Sequence, residues 1–197
     1  DLLGHGGSDA APEAATGTCV ADALFETLDE VLTEPAVVFG NSLGGLCALR
    51  YAASRPSRVA GAIVTSPGGA PLPPEDHAEF LRRFRPQDFA EARTLVDLAF
   101  ARTPRFADLM ARSLLQRFSA PSVQGILQKM EQGQLLHPEE LAGLEVPVTV
   151  LWGTCERVLL PEHRAFFRRH LPGHCAFVEP EGYGHVSYIE ETADLAD

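Results

Sequence analysis

Apolar positions along the chain follow two patterns, short continuous runs and longer stretches that repeat every three to four residues. The short runs predict strands over 36–39, 59–64, 146–152 and 175–178, the first two buried on both faces. The helical repeats outside the middle of the chain predict helices over 18–33, 43–54, 161–170 and 189–195. Strands that alternate with helices predict an α/β fold with a parallel sheet and flanking helices.

The middle of the chain, from Pro71 to about Leu136, shows no strand pattern. Its periodicity predicts four helices over 75–84, 87–101, 105–118 and 122–132, separated by prolines. Eight arginines fall between Arg82 and Arg117, and we interpret them as solvated helix faces rather than an anion site. Six phenylalanines occur here, which we expect to pack these helices onto the core, with an apolar pocket as the alternative: Phe80, Phe84, Phe89, Phe100, Phe106 and Phe118.

Composition narrows the classes of protein. The net charge is −11 and the first basic residue is Arg50, which argues against nucleic-acid binding. No apolar run approaches the roughly 18 residues of a membrane span, so no membrane partner is expected. Four scattered cysteines without metal-ligand spacing favour free thiols and a cytoplasmic location. The chain begins with Asp1 rather than methionine, so a leader is left open.

A G-x-S-x-G pattern, Gly40-Asn41-Ser42-Leu43-Gly44, lies between the first predicted strand and the helix that follows it. Such a serine sits on a strained turn, and small residues two before and two after it keep strand and helix from colliding. The N–H of Leu43, at the helix N-terminus, would then donate to an oxyanion. We predict that Ser42 is a nucleophile.

A serine nucleophile needs a base and an acid that orients the base. Of seven histidines, only His185 follows the last predicted strand, in a loop whose two glycines give it freedom to reach Ser42. His163 and His170, by contrast, lie on a helix that looks exposed. Glu156 is the first carboxylate after the strand that ends at Gly153, and an ion pair with Arg157 at the surface is its alternative role.

Together these residues resemble the α/β-hydrolase superfamily, and Asn41 with the turn Ser66-Pro67-Gly68-Gly69 looks like its serine esterases and meta-cleavage-product hydrolases. The matching segments are Asp1-Leu2-Leu3-Gly4-His5-Gly6-Gly7-Ser8-Asp9, similar to the loop after that family's fourth strand; Gly40 to Gly45; Trp152 to Val158; and Gly182-Tyr183-Gly184-His185. The resemblance implies a hydrolase core over 1–66 and 141–197 and a helical cap over 67–140. The family acid is commonly aspartate, whereas this chain has Glu156.

The resemblance also implies that the fold is incomplete at its N-terminus, because the family's early strands and the loop that donates the second oxyanion N–H would precede Asp1. The strand over 36–39 would then be a bare edge, open to pairing with another chain or to homo-oligomer formation.

The resemblance implies acyl transfer from Ser42, with His185 as base, Glu156 as acid, Leu43 in the oxyanion hole and no metal or organic cofactor. Asn41, Val158 and Val186, which neighbour these residues in the sequence, are expected to bind a small apolar acyl substrate. A serine at the nucleophile position argues against dehalogenase and epoxide hydrolase chemistry. Three alternatives stay open: cleavage of a C–C bond, transfer to an acceptor other than water, and an inactive hydrolase domain that acts as a binding module.

Overall fold

The structure is a computed structural model that describes residues 2, 7–8, 17–131 and 135–192. Its sheet has four parallel strands in the order β1 (Ala36–Asn41), β2 (Val59–Thr65), β3 (Val148–Leu151) and β4 (Ala176–Val178). The predicted parallel α/β fold is confirmed. Most of the segment over 1–9, including His5, and the predicted helix end over 193–195 lie outside the described residues.

Nine α-helices and one short 3₁₀ helix (Pro56–Arg58) occur in the described residues. Four flank the strands: α1 (Gly17–Val31), α2 (Leu43–Ser54), α8 (Pro161–His170) and α9 (Ser187–Glu190). Five lie between β2 and β3: α3 (Pro74–Arg82), α4 (Phe89–Ala99), α5 (Ala107–Phe118), α6 (Pro121–Glu131) and α7 (Pro138–Ala142). The short α7 is missing from the sequence-based prediction because five residues are too few to show a helical repeat. None of these helices is long and apolar enough to cross a membrane.

The main hydrophobic core lies between one face of the sheet and α2 and α8. Tyr51 and Leu49 of α2 are fully buried there, together with Val64 and Val150 of the strands and Phe167 of α8. A second, smaller cluster joins α4 to α5 through Ala92, Val96, Phe100, Ala107 and Ala111. The helices between β2 and β3 therefore contribute to both clusters, because Phe80, Leu81 and Leu127 belong to the main one.

The other face of the sheet is largely open, and the prediction that the first two strands are buried on both faces is wrong. Val37 and Phe39 of β1 are 62% and 52% exposed. The register pairs Phe39 with Ile63, which is 38% exposed, and Val178 of β4 points to the same face. Among the described residues, Tyr188 of α9 contacts Phe39, with ring centroids 6.0 Å apart. An apolar run fixes the strand but not what covers it.

His163 of α8 also differs from expectation, since it is 2% exposed rather than on an open helix face. Its ring packs on Phe80 of α3 with centroids 4.7 Å apart, and its Nδ1 accepts the N–H of Leu160. Burial lowers the pKa of His163 to about 4. The histidine therefore serves as a neutral contact between α3 and α8.

Candidate active site

The carboxyl ends of the four strands meet at one edge of the sheet, and the predicted site residues follow those ends. The register aligns Asn41 with Thr65, Thr65 with Leu151 and Leu151 with Val178. In α/β folds of this kind, ligands bind outside the carboxyl ends of strands. Ser42, Ser66, Glu156 and His185 all follow those ends in the chain.

Ser42 occupies a strained backbone position between β1 and α2, with φ 52° and ψ −116°. A positive φ is uncommon for a residue that has a side chain and costs about 1–3 kcal/mol. The turn is held by hydrogen bonds, because the N–H of Ser42 donates to the Thr65 carbonyl and its own carbonyl accepts the N–H of Gly68. Surrounding structure thus imposes the conformation that lifts this side chain out of the strand.

Close approach favours glycine at two positions near Ser42: Gly40, which the motif predicts, and Gly45, which it does not. A Cβ on Gly40 would overlap the backbone of Gly44, so β1 and α2 can meet only with glycine at position 40. A Cβ on Gly45 would lie 3.0 Å from Cα and Cβ of Pro67, in the loop after β2. A Cβ on Gly44 would meet nothing within 4 Å, so the expected steric role of Gly44 is wrong.

Glu156 and His185 form a buried pair. The Nδ1 of His185 lies 2.7 Å from Oε2 of Glu156, and their side chains are 8% and 2% exposed. The other carboxylate oxygen accepts the N–H groups of Val158 and Leu159 at 2.7 and 3.0 Å. Burial raises the pKa of Glu156, but hydrogen bonds from His185, Ser66 and Leu159 outweigh burial and hold the pKa below its usual value. The ionised carboxylate accepts the Nδ1–H of His185, which fixes the ring orientation.

Ser66 is a site residue to which the sequence analysis assigned no role beyond its place in a turn. It directly follows β2 with φ 42°, is 1% exposed, and its hydroxyl hydrogen-bonds to Glu156. Its N–H donates to the carbonyl of Leu151 in the neighbouring strand. The signal in the sequence was its place directly after β2, which is the criterion that selected the other site residues.

The loops that carry Glu156 and His185 are joined along their backbones. The N–H of Cys155 donates to the Tyr183 carbonyl at 2.9 Å, and the N–H of Gly182 donates to the Thr154 hydroxyl at 2.9 Å. A Cβ on Gly153 would overlap the Tyr183 carbonyl, which makes glycine necessary there. The histidine loop is thus held in place by its neighbour, rather than free to swing as its glycines suggested.

Three residues predicted to bind substrate have other contacts in the structure. The Asn41 amide donates to the Thr65 carbonyl and hydroxyl, both at 3.0 Å, and to the His185 carbonyl at 2.8 Å. Val158 is 2% exposed, and Val186 packs against the cluster of α4 and α5. Their substrate-binding role stays a prediction.

An apolar cavity of about 280 Å³ extends from Ser42 to the helices between β2 and β3. Leu43, the first residue of α2, also lines it, and helix geometry leaves the N–H of that residue without an intrahelical partner. The remaining lining residues are mostly apolar: Leu46, Gly68, Gly69, Phe80, Leu81, Phe84, Arg117, Phe118, Val123, Ile126, Leu127 and Leu159. Three of the six phenylalanines discussed above therefore face a cavity.

The other three phenylalanines do not line that cavity. Phe89 and Phe100 belong to the cluster of α4 and α5, and Phe106 is 63% exposed. Phe80, Phe84 and Phe118 both pack against the main core and line the cavity, whereas neither interpretation applies to Phe89, Phe100 and Phe106.

A family model described as "Alpha/beta hydrolase family" matches residues 1–197. Among curated proteins, the chain is similar to a pimeloyl-[acyl-carrier protein] methyl ester esterase from Neisseria meningitidis serogroup C. The two are 30% identical over an alignment of 189 residues that covers 88% of this chain and 70% of the esterase.

Solved structures share the fold at lower identity. A bacterial membrane phospholipase A matches with a TM-score of 0.81 and 23% identity, over 100% of this chain and 66% of that chain. A 2-hydroxy-6-oxo-6-phenylhexa-2,4-dienoate hydrolase from Rhodococcus sp. strain RHA1 also has a TM-score of 0.81, with 21% identity over 100% of this chain and 75% of that chain. The chain thus spans about two thirds to three quarters of these three proteins.

Proposed function

Because the chain belongs to the alpha/beta hydrolase family, we propose that it is a serine hydrolase that cleaves small apolar esters through an acyl-enzyme intermediate. Ser42 is the nucleophile, His185 the general base and Glu156 the acid that orients the base. The observation that carries this assignment is the buried contact of 2.7 Å between His185 and Glu156, at the sheet edge where Ser42 holds its positive φ. The ester class is supported by the esterase to which the chain is similar.

The reaction begins when His185 takes the hydroxyl proton of Ser42 and Oγ attacks the substrate carbonyl. The N–H of Leu43 donates to the oxyanion, with the N-terminus of the 12-residue α2 adding a favourable dipole. The intermediate collapses, the C–O bond to the leaving alcohol breaks, and the imidazolium returns its proton to that alcohol. Water then attacks the acyl-enzyme, again with His185 as base, and releases the acid and free Ser42.

Glu156 supports both half-reactions. Its lowered pKa keeps the carboxylate ionised, so it accepts the Nδ1–H of His185 and leaves Nε2 free to take a proton. Bonds from Val158 and Leu159 hold the second oxygen in place. Glutamate in the usual position of aspartate is accommodated because both of its oxygens have partners.

The helices between β2 and β3 act as a cap that supplies most of the acyl site. Phe80, Phe84 and Phe118 line the cavity together with Ile126 and Leu127 of α6. An apolar acyl chain placed there would have its carbonyl at Ser42 and its tail among these side chains.

Covalent labelling tests the assignment. We expect a fluorophosphonate probe to label the wild-type chain at Ser42 and p-nitrophenyl butyrate to be hydrolysed. Ser42→Ala and His185→Ala should abolish both. Ser54→Ala is the matched control, because that exposed serine at the end of α2 bonds only to helix carbonyls. Absence of labelling in a folded wild-type chain would instead favour a binding module, and a labelled Ser42→Ala variant would remove Ser42 from the mechanism.

A further inference from the structure

The segment over 97–102, at the end of α4, lies against both loops of the proposed site. We call it the α4 end segment. The N–H of Val186, next to His185, donates to the carbonyl of Ala99 at 3.1 Å. The main chain of the histidine loop is thereby bonded to the cap.

Arg157 connects the same segment to the acid loop. Its Nη2 donates to the carbonyl of Asp97 at 2.6 Å and to that of Phe100 at 2.5 Å. The last carbonyls of a helix lack intrahelical partners, and a cation is favoured at this end of the helix dipole. Because Arg157 directly follows Glu156, its hold on α4 restricts the loop that positions the carboxylate.

Glu190, the last residue of α9, connects the α4 end segment to the helix that follows the histidine loop. Its Oε2 accepts the N–H of Ala101 at 3.0 Å, and its Oε1 accepts the N–H of Arg102 at 3.1 Å. A Cβ on Gly184 would lie 2.5 Å from the Ala101 nitrogen and 2.8 Å from Oε2 of Glu190. The backbone immediately before His185 is therefore in close contact with the α4 end segment, and only glycine fits.

We propose that Arg157 and Glu190 are positioning residues that hold the acid loop and the histidine loop against the α4 end segment, and so keep His185 aligned with Glu156. The inference rests on the proposed function, since it assigns these residues a part in that reaction. Both loops are bonded to one six-residue segment of the cap, although to different residues of it. A shift of that segment would therefore move both loops. A displacement of about 1 Å in a catalytic group is enough to reduce the rate up to about 100-fold.

The cap therefore has two parts with different roles. The α3 and α6 side lines the acyl cavity, whereas the end of α4 supports the catalytic pair. The proposal goes beyond a cap that only covers substrate, because it makes the rate of the chemical step depend on cap residues that do not line the cavity.

Kinetics of four variants in the full chain test the proposal. We expect Arg157→Ala and Glu190→Ala each to lower kcat for p-nitrophenyl butyrate by about tenfold or more, with KM within about twofold. Arg157→Lys keeps a cation and donors, and Glu190→Gln keeps one acceptor, so both should recover part of kcat. The control is Arg50→Ala, which breaks the bonds of Arg50 to the Glu140 carboxylate and the Leu135 carbonyl, far in the chain from the α4 end segment and from both loops.

A purely structural role predicts a different result. Arg50→Ala would then lower kcat as much as Arg157→Ala at equal loss of unfolding free energy, or the conservative variants would recover nothing. Either outcome overturns the proposal, as does a kcat that is unchanged in both alanine variants.

Proton NMR separates this inference from the proposed function. The hydrogen bond from His185 to Glu156 should give a strongly deshielded Nδ1 proton, assigned by its loss in Glu156→Ala. We expect the signal to weaken in Arg157→Ala and Glu190→Ala and to persist in Arg50→Ala. If Ser42 is not labelled but this pattern is found, the proposed function fails and the positioning role stands. If labelling succeeds and the signal is unchanged in every variant, the positioning role fails alone.

Discussion

The side-chain amide of Asn41 donates a 2.8 Å hydrogen bond to the backbone carbonyl of His185, a residue 144 positions away. Since Asn41 also donates to the end of β2 at Thr65, a single side chain ties two strand ends to the histidine loop. It directly precedes Ser42, so the same contact fixes the proposed base relative to the proposed nucleophile.

Removal of the Asn41 amide should therefore affect both stability and rate. We expect Asn41→Ala to lower the free energy of unfolding by about 1–3 kcal/mol, because the His185 carbonyl loses its donor in a largely buried place. Asn41→Asp, which replaces the donor with an acceptor, should be worse in kcat and in urea-induced unfolding. An aspartate variant as active and stable as the wild type would contradict this role.

The positive φ of Ser42 predicts different stabilities for two substitutions that remove the proposed nucleophile. Glycine adopts φ 52° without a steric penalty, whereas alanine keeps the steric penalty of a side chain at that angle. We expect Ser42→Gly to be more stable than Ser42→Ala by about 1 kcal/mol, while both lose all turnover. Chemical denaturation of the two variants side by side measures the difference, and an alanine variant at least as stable as the glycine variant would argue against strain at this position.

Glu156 should be needed as a charge and not only as a hydrogen-bond acceptor. We expect Glu156→Gln to lower kcat by about 10³–10⁴-fold, since an uncharged amide cannot stabilise the imidazolium. Glu156→Asp, which keeps the charge, should retain more activity. A glutamine variant that matches the aspartate variant in kcat would show that charge is dispensable.

The lowered pKa of Glu156 also predicts a pH effect on stability. Its stabilising contribution is present above the ordinary value of 4.5 and is lost as the pH falls through the lower folded value. The wild type should therefore be more stable than Glu156→Gln at neutral pH, and the difference should narrow below pH 4.5. Unfolding free energies measured between pH 3 and 7 check the sign.

His163 predicts acid sensitivity by the opposite route. Between its ordinary pKa of 6.5 and its folded value of about 4, the unfolded chain binds a proton that the folded chain does not. The free energy of unfolding should fall by about 3 kcal/mol as the pH drops through this window. The charge of Glu162 raises the pKa of His163, and that of His77 lowers it. His163→Gln should flatten the dependence, and an unchanged slope would assign it to other groups.

Acyl-chain selectivity should depend on the cavity wall that α6 supplies. Ile126→Trp places a larger side chain among the lining residues of α6. We expect kcat/KM for p-nitrophenyl octanoate to fall by about tenfold or more, while p-nitrophenyl acetate, whose acyl tail is a single methyl group, is hydrolysed as before. Equal losses for both esters would place the acyl chain elsewhere.

Prediction from sequence succeeded where a residue's place in the chain decides its place in the fold. The parallel sheet follows from the alternation of apolar runs and helical repeats, and register then brings Ser42, Glu156 and His185 to one edge. Contacts between distant segments gave no such signal. Arg157 bonds to residues about 60 positions away and Glu190 to residues nearly 90 away, and no local pattern indicates either partner.

Errors arose where a local pattern was taken to imply its surroundings. The run over 36–39 is apolar at every position, which indicates burial but does not show which neighbour supplies it. His163 lies on a helix rich in arginine, which suggested an exposed face. Its burial comes from contact with Phe80 of α3, a helix distant in the sequence. Gly44 matched a motif position, yet a side chain is excluded at Gly40, which meets the Gly44 backbone, and crowded at Gly45, which meets Pro67.

The open sheet face of Val37, Phe39, Ile63 and Val178 bears on how all these stability measurements are compared. Apolar surface of this kind promotes self-association, and any reversible association adds a mass-action contribution to the apparent unfolding free energy. Denaturation midpoints that increase with protein concentration would reveal that contribution directly. Wild type and variants therefore have to be matched in molarity before differences of 1 kcal/mol acquire meaning.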